Sequence, residues 1–452
     1  MREFKKLILI ALDMLRADHV GCYGYPRETS PNIDALAAKG TRFADCTSAF
    51  CCTVPSFTSM LTGKLPLNHG VVINPWSAAN CHSIFLDDEC PTIAERLWSE
   101  DFLTAAVDNL INFASHPNWF ARGYQHLMNA TGTAASSAHL TRGAAINAEL
   151  LPWLRANHQR DFFVFVHYWD PHGPFTQPEE YNEPFRQLPL PTVQAASGEE
   201  YVRGAGLASA VAEQGRELVD EYDGATRFVD ERVGEVLGLL DDLDIAQDTA
   251  VIVTSDHGRT DFGRPDPWRA RGVYQGTMHV PLIVCAPGVE AHQVVEHPVH
   301  GTDLAPTIMQ LLGRQVPGEM DGTSLLAAMA GGPAPHELIG ACGAYRGAPQ
   351  RLLRKGSLKL VRTYADAIAD LAPLYEEEGN TAWTDAPQVQ VYDLAADGFE
   401  SVDLAAQDPD LAAELCADLD EWKAANADDP KRPDPLIENS RWGIKRDSTL
   451  VN

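Results

Sequence analysis

Several side chains in this sequence are of types that hold a cation and attack an ester. Asp13 closes an apolar run at residues 7–12, and Asp256-His257, followed by Gly258, closes another at 250–254. Carboxylate oxygen and imidazole nitrogen together suit a divalent ion such as Zn2+ or Mn2+. A strand-ending aspartate also caps loops, and Asp-His-Gly also makes turns. The recurrence of the pattern at two strand ends favours the metal. Residues 50–64 read Phe-Cys-Cys-Thr-Val-Pro-Ser-Phe-Thr-Ser-Met-Leu-Thr-Gly-Lys. Proline near the start and glycine past the end bracket a short helix. Thr53 then sits at or just before the helix N-terminus, where unpaired N–H groups and the dipole favour an oxyanion. An ordinary N-cap threonine is the bland alternative.

Other candidates surround this set. Asn109 follows a strand-like run at 102–107; its amide can donate to an oxyanion or cap the next loop. Asp170 and His172 lie in Trp-Asp-Pro-His-Gly-Pro-Phe, a proline-stiffened loop after a run at 161–168. A histidine there suits a general acid or a structural role. His279 precedes a further strand. Lys64 and His69 follow the short helix, where each can reach an anion or stay solvated.

The elements that must position these groups are legible as continuous apolar runs separated by helical patterns. Runs at 7–12, 102–107, 161–168, 250–254 and 280–284 have strand length, and their apolarity predicts burial on both faces; residues 41–48 look like a strand leading into the Thr53 turn. Ligands of such open α/β sheets sit at the carboxyl ends of the strands. Residues 30–40 carry capping, helix and stop signals in order, and 91–98 is helical in pattern. Residues 209–240 form a long amphipathic helix, with Tyr222, Phe228, Val229, Val233, Val236 and Leu237 facing inward and its acids facing solvent. Residues 176–204 lack periodicity and are expected as an inserted loop over the site. Arg16 and Asp18 are expected to brace the loop after Asp13. Gly331-Gly332-Pro333 through His336 resembles a linker. Beyond it lie strand-like runs at 351–361 and 389–394 and a helix at 409–424. The expected domains are 1–335, 336–429 and a tail, 430–452, that wraps the surface or contacts a second copy.

The 452 residues suffice for one large domain and a smaller one, with 45% hydrophobic and 22% charged content. A net charge of −28 repels nucleic acid and anionic membranes. A small anionic substrate needs a local positive site, such as a metal, against that field. The first residues lack the pattern of a signal peptide, no run spans a bilayer, and nine cysteines are an odd number, so a cytoplasmic, reducing location is expected.

Together, the strand ending in Asp13, Thr53-x-Pro55-Ser56 through Thr62-Gly63, Asp256-His257-Gly258, His279-Val-Pro-Leu-Ile-Val, Asp303-Leu-Ala-Pro-Thr, Asp321-Gly-Thr-Ser-Leu and Val391-Tyr-Asp-Leu resemble the sulfatase family of the alkaline phosphatase superfamily. The motifs keep the family's order over roughly residues 7–405. The resemblance implies an α/β fold: a mixed, mostly parallel sheet flanked by helices, with a smaller C-terminal α+β subdomain. Family sulfatases carry Cys-x-Pro-Ser-Arg, whose cysteine becomes formylglycine. Here Thr53 and Phe57 stand at the cysteine and arginine positions, and Cys52 is one residue out of register, so no formylglycine is expected.

A sulfated threonine has no intramolecular exit, whereas a phosphothreonine is open to in-line attack by water. Threonine relatives in the superfamily act on phosphoesters. The resemblance therefore implies a hydrolase of phosphate diesters or phosphonate monoesters. Asp13, Asp256, His257 and Thr53 would hold one divalent ion. Mn2+ or Zn2+ is favoured over Ca2+ or Mg2+, because Met14 replaces a second acid and His257 an asparagine. Thr53 would be the nucleophile, His172 or His279 the acid, Lys64 and Asn109 charge donors, and Asp170 and His69 substrate contacts. A sulfate-ester hydrolase, a phosphoryl or sulfuryl transferase, and an inactive metal-binding subunit are the alternatives.

Overall fold

The computed structural model describes residues 4–72, 86–108, 119–130, 141–202, 207–259, 272–286, 288, 293–344, 348–371 and 386–438. In chain order the elements that matter begin with β1 (Lys6–Leu12), α1 (Pro31–Ala37), β2 (Thr41–Thr47), α2 (Thr53–Thr62) and α3 (Ile93–Ser99). Next come β3 (Leu103–Val107), β4 (His126–Met128), α4 (Gly143–Asn157), β5 (Phe162–Tyr168), β6 (Thr192–Gln194), β7 (Glu200–Val202), β8 (Leu207–Ala208) and α5 (Ser209–Asp242). The rest are β9 (Thr249–Thr254), β10 (His279–Cys285), β11 (Gln293–Val295), β12 (Val299–His300), α6 (Leu304–Leu311), β13 (Leu338–Gly343), β14 (Gln350–Lys355), β15 (Leu358–Thr363), β16 (Val389–Asp393) and α7 (Pro409–Asn426).

All seven residues of β1 are buried, so the strand needs cover on both faces. Its side chains alternate as a strand's must. Leu7, Leu9 and Ala11 join a cluster with Val54, Phe57 and Leu61 of α2, Leu97 of α3 and Ile308 of α6. Ile8, Ile10 and Leu12 join a second cluster with Ile33 of α1, Leu150 of α4 and Val229, Val233 and Val236 of α5. The sheet between them runs β11-β2-β10-β9-β1-β5-β3-β4, with β12 also on β2. Its pairings are parallel except at β10, which runs against both β2 and β9. This is the mixed, mostly parallel sheet expected.

The separate sheet β13-β14-β15-β16 is antiparallel throughout. One face packs on α7 through Leu353, Leu360, Val391, Leu415 and Leu419. The other meets the run before Thr53: Phe50, Cys51 and Cys52 share a cluster with Ala341, Cys342, Leu352, Val273 and Tyr274. Phe50 also bridges to Cys342 in parallel, and the Cys342 amide donates to Ala49 O at 3.3 Å. Gly343 belongs at this contact, because a Cβ there would lie 2.7 Å from Cys51 Sγ.

Several local expectations need correction. Residues 176–204 are not a bare loop: β6, β7 and β8 make a three-stranded sheet that packs on α5 through Val202, Val219 and Tyr222. Two- and three-residue strands are too short to show a period. Residues 351–361 are not one strand but parts of a hairpin turning at Gly356, whose φ of +59° favours glycine. The strand Leu338–Gly343 went unanticipated beyond the supposed linker. Three acids of α5 are buried rather than solvated: Asp220 and Asp223 accept from Arg27, and Asp230 from the Asn32 and Ile33 amides. Residues 430–438 lie on the body, with Leu436 buried and Asp434 paired to Lys423 at 3.0 Å.

Candidate active site

β1, β9 and β2 all end at one edge of the sheet, and their continuations meet there. Asp13 follows β1 with its amide on Tyr168 O at 2.8 Å. Asp256 and His257 follow β9. β2 leads through Ser48 to Cys52, the N-cap of α2, which makes no side-chain hydrogen bond to the helix. Hydroxyls stitch the three loops together. Ser48 and Ser56 both donate to Asp256 O, while Ser255 accepts from Leu15 N at 3.0 Å and donates to His257 O at 2.7 Å. Met14 holds φ of +61° between them, its amide on Asp256 Oδ1 at 3.1 Å and its carbonyl accepting from Tyr222 at 2.8 Å. Such a conformation costs a bulky residue on the order of 1–2 kcal/mol. As expected, Arg16 braces this loop, its Nε and one terminal nitrogen each 2.8 Å from an Asp18 oxygen.

Ligand atoms of Asp13, Asp256 and His257 lie within 4.8 Å of one another, and all three residues are buried. Among the described residues, neither Asp13 oxygen nor Asp256 Oδ2 has a hydrogen-bond partner. Unpaired buried carboxylate oxygens are expensive, and a divalent cation is the group this donor set fits. His257 Nδ1 lies 2.7 Å from Gly258 O. A carbonyl only accepts, so Nδ1 carries a proton and Nε2 faces the carboxylates. Thr53 Oγ1 is 3.3 Å from that Nε2.

Charge and burial oppose one another across these three residues. Burial pushes Asp13 up, but the close approach of His167 and the charges of His172 and His257 hold it below the ordinary carboxyl range. Burial and the Asp13 charge push Asp256 up. Burial lowers His257, yet Asp256 and Asp13 raise it overall.

Sequence reasoning missed His167 and Asp108. His167 lies in the interior of β5, fully buried, with Nδ1 3.1 Å from Asp108 Oδ1 and Nε2 3.3 Å from Asp13 Oδ2. The second approach is close enough for charge attraction but lacks hydrogen-bond geometry. Burial lowers this imidazole, but Asp108 and Asp13 lift it to about 10. Its ring is wedged between Phe57, at 4.7 Å, and Trp169, at 4.6 Å. The signal was present as the one polar residue inside Phe-Phe-Val-Phe-Val-His-Tyr.

The remaining candidates divide. His172 is half-buried, packs edge-on to Trp169 and is close enough to Asp13 for its charge to act there. Asp170 turns the other way, its Oδ1 accepting from Gly143 N in the first turn of α4 at 3.0 Å, and burial lifts it to about 7. His279 faces Tyr23, with Nε2 3.0 Å from Ala44 O. Lys64 lies past the other end of α2, held by Asp428 at 2.6 Å. His69 is beside it, its Nε2 2.9 Å from Ser59 Oγ. A ten-residue helix is about 15 Å long, so neither Lys64 nor His69 joins Thr53. Asn109 lies outside the described residues.

Known proteins with similar sequences and folds fit this geometry. The sulfatase family model matches residues 5–314. The ulvan-active sulfatase of Formosa agariphila is 21% identical over 412 residues, covering 80% of this chain and 75% of that protein. The multifunctional alkaline phosphatase superfamily protein PehA of Trinickia caryophylli is 23% identical over 399 residues, covering 73% and 77%. The solved phosphonate monoester hydrolase of Silicibacter pomeroyi superposes with a TM-score of 0.70 at 21% identity, covering 93% of this chain and 95% of its own. The family match spans well over half of the sequence: the chain belongs to the sulfatase family, whose members hydrolyse sulfate or phosphonate esters and depend on a metal.

Proposed function

We propose that the protein hydrolyses phosphate diesters or phosphonate monoesters through a covalent phospho-Thr53 intermediate. The main support is the 3.3 Å approach of Thr53 Oγ1 to His257 Nε2, beside three buried carboxylate oxygens that accept no hydrogen bond among the described residues. Asp13, Asp256, His257 and Thr53 would hold one divalent ion, Mn2+ or Zn2+ by donor type. When bound, such an ion acidifies the threonine hydroxyl and offsets the charge of the attacked ester.

Thr53 Oγ1 attacks phosphorus in line, its proton passing to solvent, and the P–O bond to the leaving group breaks. The N-terminal N–H groups of α2 point at the charged non-bridging oxygens. His172 gives the leaving oxygen its proton. Water then adds to phosphorus, giving a proton to His172, and the bond to Thr53 breaks, its oxygen taking back a proton from solvent. His167 and Asp108 keep Asp13 oriented throughout. Thr53 rather than formylglycine is what favours phosphorus, since a sulfated threonine lacks the second hydroxyl that expels sulfate.

Thr53→Ala should abolish turnover of bis(4-nitrophenyl) phosphate and phenyl phosphonate monoesters while metal content by mass spectrometry stays at one equivalent. Surviving activity would remove Thr53 from the nucleophile role. Sulfate-ester hydrolysis is the second reading, favoured by the sulfatases among the relatives. Assay of 4-nitrophenyl sulfate beside the two phosphorus esters separates them.

A further inference from the structure

The loop that follows β5 carries His172 and is fastened at several points. The His172 amide closes its turn on Trp169 O at 2.8 Å, and Asp170 ties its first half to Gly143 N at 3.0 Å. The imidazole itself is set by the next residue, because His172 Nδ1 is hydrogen-bonded to Gly173 O. A carbonyl only accepts, so Nδ1 carries the proton of that bond, and Nε2 is the nitrogen left to give up and take back a proton. The orientation of the Gly173 carbonyl therefore decides where Nε2 points.

A side chain from the other side of the site packs on that residue. Arg259 lies two positions after His257 and is 9% exposed. Its carbonyl accepts from Arg16 at 2.7 Å, which joins its backbone to the loop after Asp13. Its guanidinium lies over the Phe175 ring, 5.1 Å from the centroid. It also lies against Gly173, where a Cβ would sit 3.2 Å from a terminal nitrogen. Phe175 packs in turn on Tyr222, at 6.1 Å between ring centres, and the Tyr222 hydroxyl accepts from Arg16 N and donates to Met14 O. One side chain thus spans from the Asp256-His257 loop to the residues just past His172. A planar guanidinium can stack on an aromatic face while its edge meets a backbone, which a compact ammonium cannot.

We propose that Arg259 is a positioning residue for His172: packed on Gly173 and Phe175, it fixes the carbonyl that orients the imidazole and so aims Nε2 at the centre formed by Asp13, Asp256 and His257. This role rests on the reading of His172 as the acid and adds the group that aims it. Arg259 itself touches no reacting atom in this role.

The test uses the full chain loaded with Zn2+ and has two readouts. The first needs no turnover. Long-range 1H–15N spectra of the histidine rings, with the His172 signals assigned by their loss in His172→Ala, should show the neutral ring held with its proton on Nδ1. In Arg259→Met the ring should relax toward the form protonated on Nε2. An unchanged tautomer in that variant overturns the positioning role, whatever reaction the protein performs. The second readout compares phenyl and 4-nitrophenyl esters of whichever acid, phosphonic or sulfuric, is turned over. Phenolate is the poorer leaving group and needs the donated proton more. Arg259→Met should lower kcat about tenfold on the phenyl ester and by no more than about twofold on the 4-nitrophenyl ester, with KM and metal content unchanged. A general loosening of the fold would lower both rates alike. His172→Ala should show the same contrast, and adding Arg259→Met to it should change nothing further, because the group it aims is gone. If His172→Ala shows the contrast and Arg259→Met does not, the positioning role falls while the acid assignment stands. If neither shows it, the acid assignment falls and takes the positioning role with it. A further loss in the double variant would mean that Arg259 acts on the leaving group itself, which also overturns the role. If Arg259→Met fails to fold, Gly173→Ala, whose methyl presses the guanidinium off the loop, decides by the same two readouts.

Discussion

At the scale of single residues, three buried histidines are held in opposite protonation states. Burial presses His69 down to about 3 and His300 to about 4, while two carboxylates lift His167 to about 10 despite its burial. For the first two the folded pKa lies below the ordinary 6.5. Their contribution to stability is complete above pH 6.5 and is lost as pH falls, because the unfolded chain takes up protons that the fold refuses. Each should cost about 1.4 kcal/mol per pH unit over that fall. His167 is the reverse: its contribution is complete below 6.5 and lost as pH rises through 10, so it does not mask the acid effect. Urea melts between pH 6.5 and 4.5 should show the loss, and His69→Gln should flatten the slope. A slope unchanged by that substitution would show that His69 titrates normally. These histidines also mark what was hard to read. Asp13, Asp256 and His257 were legible because they break apolar runs at strand ends. His167 was not, because its partners Asp13 and Asp108 come from other strands, and only the sheet order makes them neighbours.

At the scale of elements, α2 is the piece that both shapes the site and departs from the family. All ten of its residues are buried, and Phe57 on its inward face touches Phe165, Phe120 and His167. The family resemblance implies arginine at this position. Here a guanidinium would enter an apolar wall beside an imidazole already protonated at neutral pH. Phe57→Arg should therefore cost about 3–5 kcal/mol, as other unpaired buried charges do, read as a fall in denaturation midpoint. An unchanged midpoint would mean that the slot is polar enough to take the cation. The central strands β1, β5 and β9 were legible because burial on both faces makes them nearly continuously apolar, whereas β4, β11 and β12, two or three residues each, were not anticipated. β6, β7 and β8 were not, because their register is set by packing on α5 rather than by a pattern of their own. The same holds for the buried acids of α5. A helix pattern assigns aspartate to solvent, and partners distant in sequence, among them Arg27, His19, Tyr25 and the α1 amides, make Asp220, Asp223 and Asp230 interior residues.

At the scale of the molecule, the C-terminal sheet is fastened to the catalytic sheet by buried charge as well as by apolar contact. Lys359 Nζ lies 2.7 Å from Glu400 Oε1 with both side chains fully buried, and Glu400 Oε2 accepts from Gln275 N at 2.9 Å, just ahead of β10. Arg354 reaches Asp45 of β2 at 2.7 Å. Lys359→Met leaves Glu400 without its counter-charge and should destabilise the chain by about 3–5 kcal/mol, measured by urea unfolding with a single transition if the two parts melt together. Two separated transitions would show that the subdomain is an independent unit. Among the described residues no helix is long and apolar enough to cross a membrane.

The bridge between Phe50 and Cys342 has a consequence for synthesis. Residue 53 leaves the ribosome well before the backbone that steadies its approach, which lies at Cys342. A nascent chain can lay down β1, β2 and α2 and still hold an unfinished reaction centre, with Phe50, Cys51 and Cys52 waiting for a strand not yet translated. Completion of the site is thus deferred until β13 has been made, and any fragment ending before that strand should emerge sticky and inert.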